Sequence, residues 1–529
     1  MRNTTRRQFL ADVGQGMLLA SVGAALATDL GLAADLGLAT AYAGEVPADL
    51  TFGALEPLVA LMQETSADKL LPLVVEKLNA GTELRTIVAA AALANARTFG
   101  GQDYVGYHSF MALAPAFAMS QELPEAKRAL PVLKVLYRNT NRMQAFGGRA
   151  KEVLHPVEAA ELHDDDQTFV RNGNVLQRAT RSANMDAAER TFAALAKGPA
   201  GEAFNHLQFA VQDEVDVHRV VLSWRAWATL DLTGQEHAQT LLRQSVRYCV
   251  ETEQRAKKDA RPASPIRGLL PKLLDQYKLL GRDLGDRDAE DGWIADTSRL
   301  ISSSSPEKAA DAVAAALAEG LSPEDVGEAI SLAANELVLR DPGREEAASP
   351  EKPAGSVHGD SVGVHASDSA NAWRNIARVS NHRNTLASLI VGAYHTAGRY
   401  GRLNKEFYPL AEHLEKVTAT EPEALLAELS SAIRGQDQFR ACAVVEKYGQ
   451  KYGQLATAAR PVFDLLLQFA TSEDGALHAE KYYRTVAEEF AKTRATFRWR
   501  QLVALARVTA SEYGRPAPGY AQACALLKV

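Results

Sequence analysis

Apolar positions along the chain recur three and four residues apart, in long stretches rich in alanine and leucine. Residues 84–96, 309–317 and 462–469 show the spacing most clearly. That period puts one apolar face on a helix, and alanine and leucine are strong helix formers. Alternating runs of valine, isoleucine and threonine bounded by turn pairs are scarce. Helix starts are written locally. Ser322-Pro323-Glu324-Asp325 offers a capping hydroxyl, a proline for the first helical position and two acids for the positive end of the helix. Ser305-Pro306-Glu307 and Thr420-Glu421-Pro422-Glu423 are similar. The pattern predicts an all-α, multi-helix protein.

Breaks in the pattern organise the chain. Residues 258–268 and 281–292 read as connections, and 341–355 as a charged, proline-rich insertion with no core of its own. The main boundary falls between Arg282 and Ser304, giving a first helical half over 44–282 and a second over 304–529. The halves share an order of features. Leu78-Asn79-Ala80-Gly81, an alanine-rich helix over 84–97 and Val105-Gly106-Tyr107-His108 appear in the first. Leu317-Ala318-Glu319-Gly320, a helix over 326–340 and Val362-Gly363-Val364-His365 appear in the second. A duplication of this kind predicts two pseudo-equivalent halves packed together, with His108 and His365 in matching places and room for a site between helices at their interface.

Composition narrows the functional classes. A net charge of −7 over 529 residues argues against nucleic acid as a partner. No apolar run beyond the N-terminal region is long enough to cross a bilayer. Cys249, Cys442 and Cys524 are too few and too scattered for a disulfide framework. The N-terminus carries Arg6-Arg7-Gln8-Phe9-Leu10, a weakly apolar stretch over 13–27 and Ala41-Tyr42-Ala43. Cationic head, short apolar body and small-residue exit resemble a twin-arginine signal peptide over residues 1–43. The resemblance implies the twin-arginine translocase as a partner during export and a periplasmic or extracellular destination. It also implies cargo that crosses already folded, often around a metal or cofactor.

The chain has no phosphate-cradling glycine loop, no dinucleotide fingerprint, no nucleophile elbow and no haem-attachment motif. Histidine is the remaining lead. In the glycine-rich stretch 356–371, His365 and Asp368 stand three apart and share a helix face, so the carboxylate can orient the ring. Glu214 and His218 stand four apart before an apolar stretch holding Trp224 and Trp227. Each pair is equally compatible with an ordinary helix cap or a surface ion pair. His155 beside Pro156 reads as lying outside a helix, and His163 before three aspartates as a solvated exit. Arg494 and Arg498 could clamp an anion, or form a charged outer face.

The segments Gly106-Tyr107-His108-Ser109-Phe110-Met111-Ala112-Leu113 and Gly363-Val364-His365-Ala366-Ser367-Asp368-Ser369-Ala370-Asn371-Ala372 resemble histidine-led helix starts of the questin oxidase-like helical proteins. The resemblance implies an oxygenase of Baeyer–Villiger type, and carries over only to His108 and His365. The chain departs from that pattern in its signal peptide and in the insertion before His358. It is also similar to an uncharacterised group of exported bacterial helical proteins. Together these readings predict an exported oxidoreductase acting on a small molecule, with His108, His218 and His365 catalytic. The same histidines with Glu214 and Asp368 form the expected ligand set for iron or another transition metal. Two alternatives stay open: a non-enzymatic helical-repeat scaffold, and a metal-free oxygenase with a pocket lined by Trp224, Trp227 and Trp373.

Overall fold

The structure, a computed structural model, describes residues 49–162, 169–349, 352–398, 403–455 and 457–529. The signal-like segment 1–43, and His163 with the aspartates after it, lie outside the described residues. Among the described residues there are 23 α-helices and no β-strand. Residues Asp49–Val529 pack as one compact unit.

The helices run in two successive series. The first comprises α1 (Glu56–Glu64), α2 (Ala67–Asn79), α3 (Leu84–Phe99), α4 (Tyr104–Ser120), α5 (Leu130–Phe146), α6 (Phe169–Arg181), α7 (Met185–Leu195), α8 (Ala200–Val211), α9 (Val217–Thr233) and α10 (Ala238–Lys258). After α11 (Ile266–Gln276) the second series opens with α12 (Asp291–Ser303), α13 (Pro306–Ala318), α14 (Pro323–Leu339), α15 (Val362–Val379) and α16 (His382–Thr396). It continues through the short α17 (Ala411–Glu415) to α18 (Pro422–Arg434), α19 (Gln438–Tyr452), α20 (Ala459–Ser472), α21 (His478–Lys492) and α22 (Trp499–Glu512). The chain closes with α23 (Tyr520–Leu527). Neighbour relations recur with the order. Helix α3 packs on α4 and α4 on α5, as α14 packs on α15 and α15 on α16. Likewise α7 lies against α10, and α19 against α22.

Local chemistry explains the starts. Ser322 and Ser305 accept the N–H groups of Asp325 and Lys308 at 3.2 and 3.3 Å, ahead of the prolines that open α14 and α13. The Val-Gly-x-His segments have a packing reason. A Cβ on Gly106 would lie 2.6 Å from the Phe99 ring, and one on Gly363 2.7 Å from the Val338 backbone nitrogen. Glycine lets each histidine helix press against the helix before it.

The two series interlock rather than sit side by side. Helix α9 of the first lies along α15 of the second, and α21 of the second lies along α4 of the first. With the contacts α4–α9 and α15–α21, these four close a ring. A buried ion pair pins the crossing. Lys134 of α5 meets the fully buried Glu480 of α21 at 2.6 Å and donates to the Ala470 carbonyl at 2.8 Å. Insertion 341–355 doubles back on itself, with the Gly355 N–H donating to the Arg344 carbonyl at 2.8 Å. Arg344 and Lys352 both pair with Asp360 at its base. No described helix is long and apolar enough to cross a membrane.

Candidate functional site: a four-histidine cluster

Each helix of the central ring brings one histidine, in its first turn or just beyond. His108 is the fifth residue of α4, His218 the second of α9, His365 the fourth of α15 and His478 the first of α21. Their rings follow one another in a closed circuit. Centroid separations are 4.8 Å for His108–His218, 5.9 Å for His218–His365, 5.5 Å for His365–His478 and 5.3 Å for His478–His108. Nε2 of His365 stands 3.4 Å from Nε2 of His478.

The caps that start these helices set the positions. Asp103 accepts the Gly106 N–H at 2.7 Å, Asp216 accepts the N–H groups of His218 and Arg219 at 2.7 and 3.1 Å, and Ser361 accepts the Val364 N–H. Helix α21 has no side-chain cap, and Ala476 and Leu477 before it take left-handed backbone conformations.

Three rings have one nitrogen facing an oxygen. Nδ1 of His108 lies 2.8 Å from the Tyr104 carbonyl, Nδ1 of His478 lies 3.3 Å from the Gly475 carbonyl, and Nδ1 of His218 faces Asp216 at 3.5 Å. An oxygen at Nδ1 holds the proton there and leaves Nε2 as a lone-pair donor. Nε2 of His108 and of His218 is buried and meets no hydrogen-bond partner within the protein. Burial is the main force that holds His108 and His478 well below the ordinary imidazole pKa and brings His365 to about 3; the nearby Lys481 charge adds to it. Four helix N-termini, each a partial positive charge, converge here and favour the same neutral form. His108, His365 and His478 are thus neutral imidazoles in a protein interior.

Among the described residues, no three His, Cys, Asp or Glu side chains already stand close enough together to hold an ion. Physical chemistry accounts for the spacing. Lone pairs of facing imidazoles repel one another unless a cation or donor lies between them, and between His365 and His478 at 3.4 Å a ring N–H of one can be that donor. The His365–His478 separation nonetheless fits a shared ion: two nitrogens each ~2.0–2.1 Å from one tetrahedral ion stand about 3.3 Å apart. The donor set is consistent with a borderline transition metal.

Of the residues singled out from the sequence, His108, His218 and His365 come together. The expected carboxylates do not join them. Asp216 caps α9, so the helix begins at Val217 and Glu214 lies before it, where the helical i,i+4 spacing does not apply. The Glu214 carboxylate turns back to accept the Val215 N–H at 2.9 Å. Asp368 is buried and accepts the Thr485 hydroxyl at 2.9 Å. The carboxylate facing the cluster is Asp216. Arg494 is engaged by Asp291, Asp325 and Glu328, and Arg498 donates to the Gly453 carbonyl, so neither stands as an open anion clamp. Trp227 stacks on Phe204, and Trp373 donates to Nδ1 of His395.

His478 escaped the sequence reading. Its signal was spacing: it follows His365 by 113 positions, as His218 follows His108 by 110. Tyrosines complete the surroundings. Tyr104 lies over His108 at 4.3 Å and is 41% exposed, the site's link to the surface. Buried Tyr107 touches both His108 and His218, and buried Tyr248 donates to both Asp216 oxygens at 3.1 and 3.2 Å. A small cavity of about 20 Å³, room for about one water, lies behind His478 beside Glu512. Burial pushes the Glu512 carboxyl up to about 7, against the bond from the Gly359 N–H at 2.6 Å.

Fold and site together define an all-helical protein built round a buried four-histidine cluster. The chain matches no family model, no curated protein and no solved structure.

Proposed function

We propose that the cluster is a transition-metal centre and that the protein is an exported oxidoreductase acting on a small molecule. One observation carries the reading: four imidazoles from four helices meet, with Nδ1 of three directed to oxygen acceptors. Nε2 of His108 and of His218 are buried without partners, which is costly, and an ion that takes them together with Nε2 of His365 and His478 removes that cost. Imidazole donors suit iron, copper, nickel and zinc. Structural zinc sites rely mainly on cysteine thiolate with histidine, and none of the three cysteines takes part in this ring of contacts. Iron is the ion assigned, and it would supply one-electron chemistry. His108, His218, His365 and His478 would hold it, Asp216 would orient His218, and substrate would approach past Tyr104.

Export by the twin-arginine route accords with this reading. A site enclosed by four helices is most readily filled before the folded chain crosses, and the resemblance of residues 1–43 supplies the address. The test is elemental analysis of the native protein. About one iron per chain in the wild type, and less than a tenth of that in a folded His108→Ala/His478→Ala variant, supports the proposal. A folded wild type without stoichiometric metal, purified from metal-supplemented cells, overturns it.

A further inference from the structure

Two buried lysines, Lys134 of α5 and Lys481 of α21, stand in opposite circumstances. Lys134 is 1% exposed and fully engaged, with Glu480 at 2.6 Å and the Ala470 carbonyl at 2.8 Å. Lys481 is 3% exposed and forms no hydrogen bond or ion pair with a described residue. An ammonium taken out of water without a partner is costly, so its place in the fold matters.

Lys481 follows His478 by three positions on α21, and the two share a helix face. Helix α21 packs on α4 and on α15, which carry His108 and His365. Of the neighbouring charges, Lys481 acts most strongly on His108 and on His478, and it acts on His365 as well. The ammonium therefore adjoins the histidine cluster from the interior side. Asp368 is the carboxylate that acts on it most, but that group stands too far off for an ion pair and its Oδ1 accepts the Thr485 hydroxyl. Burial lowers the Lys481 pKa to about 8, which leaves the group protonated at neutral pH.

The surroundings reinforce this positive charge. The N-termini of α4, α9, α15 and α21 converge on the cluster, and helix N-termini favour anions. Asp216 is already engaged by the N–H groups of His218 and Arg219 and by the Tyr248 hydroxyl. The ring is open beside Tyr104: the His218 and Asp216 side chains are 18% and 30% exposed, and Tyr104 lies 5.9 Å from His218. Tyr104 and Tyr107 add aromatic surface at 4.3 and 5.0 Å from His108. A carbon skeleton covers such surface, whereas a phosphate or sulfate does not.

We propose that Lys481 binds the carboxylate of a small organic acid, whose carbon skeleton lies among the rings of the histidine site. From the reading above this takes only that a small molecule is handled at the cluster, and it needs no metal. The carboxylate oxygens accept the ammonium N–H groups in a charge-assisted contact that supplies the missing partner.

Isothermal titration calorimetry on the full chain tests this, with metal content measured on each sample. The probes are acetate, propionate and benzoate, each beside its uncharged amide, with inorganic phosphate and sulfate as separate arms. At least one carboxylate is expected to bind about tenfold or more tightly than its amide, and more tightly than either inorganic anion. Lys481→Met is expected to weaken that binding by about tenfold or more. Lys481→Arg, which keeps the cation, is expected to weaken it by less than about fivefold. Circular dichroism checks that each variant is folded, and the comparison of acid with amide in the wild type needs no variant. Equal binding of acid and amide, or binding unchanged in folded Lys481→Met, overturns the proposal. So does a wild type that binds no carboxylate, or that prefers phosphate or sulfate to all three acids. Any of these results in a metal-loaded protein leaves the metal reading standing. A metal-free wild type that binds the acid through Lys481 upholds the proposal and overturns the metal reading.

Discussion

Nε2 of His365 and Nε2 of His478 stand 3.4 Å apart although 113 positions separate them in the chain. That pair joins α15 to α21, and the matching pair of His108 and His218 joins α4 to α9. The interlocking of the two helix series is what makes a single site from four distant histidines.

Asp216 rather than Glu214 supports the site. Asp216→Asn keeps a capping side chain for α9 but weakens the hold on Nδ1 of His218. Iron affinity, read by chelator competition, is expected to fall about 10–100-fold, the usual cost of losing such an outer partner. Glu214→Ala is expected to change it less than about twofold, since its carboxylate serves the Val215 N–H. Equal effects from the two substitutions would contradict this assignment.

Gly106 and Gly363 occupy matching places but face different neighbours. Alanine at either position overpacks the helix contact, at about 1–3 kcal/mol. Gly363→Ala is expected to cost more, because its Cβ meets the Val338 backbone, whereas Gly106→Ala meets a Phe99 ring that can turn. Urea unfolding midpoints give the order, and a larger loss for Gly106→Ala would be contrary to it.

Lys134 and Glu480 form a pair nearly closed to solvent. Lys134→Met leaves Glu480 buried without its cation and is expected to cost about 3–5 kcal/mol. Adding Glu480→Leu should recover most of that loss, because two apolar groups leave no charge uncompensated. A double variant as unstable as the single one would show that the pair matters for more than its own charges.

Glu512 sets a pH dependence. Its folded pKa is raised from the ordinary 4.5 to about 7 by burial, so the folded state holds its proton more tightly than the unfolded chain. Its contribution is therefore fully present below pH 4.5 and is lost as pH rises through 7. At ~1.4 kcal/mol per pKa unit the loss is on the order of 3 kcal/mol. Glu512→Gln, uncharged throughout, should show a stability advantage over wild type that is small at pH 5 and grows by pH 8. An advantage independent of pH would show that the carboxyl is not held protonated.

Much of the helical fold was legible because its signals are local. Ser305, Ser322, Asp103 and Asp216 each start a helix by bonding N–H groups two or three positions on, and alanine-rich stretches such as α3 bury every residue from Ile87 to Phe99. His108 and His365 stood out through the repeated Val-Gly-x-His order, and His218 through its spacing from Glu214. His478 did not, because α21 begins after two left-handed residues with no capping side chain to announce it. Glu214 misled for a related reason: the i,i+4 rule holds only inside a helix, and the Asp216 cap places it outside. The tyrosine contacts around the cluster join α4, α9 and α10, which no local pattern encodes.

The central claim is that four imidazoles bind one ion, and X-ray absorption at the iron edge of the loaded protein addresses it most directly. A first shell of nitrogens near ~2.1 Å, with outer-shell scattering from four imidazoles that falls to three in His478→Ala, is the predicted result. A shell of oxygens without imidazole scattering, or a spectrum unchanged in His478→Ala, would contradict it.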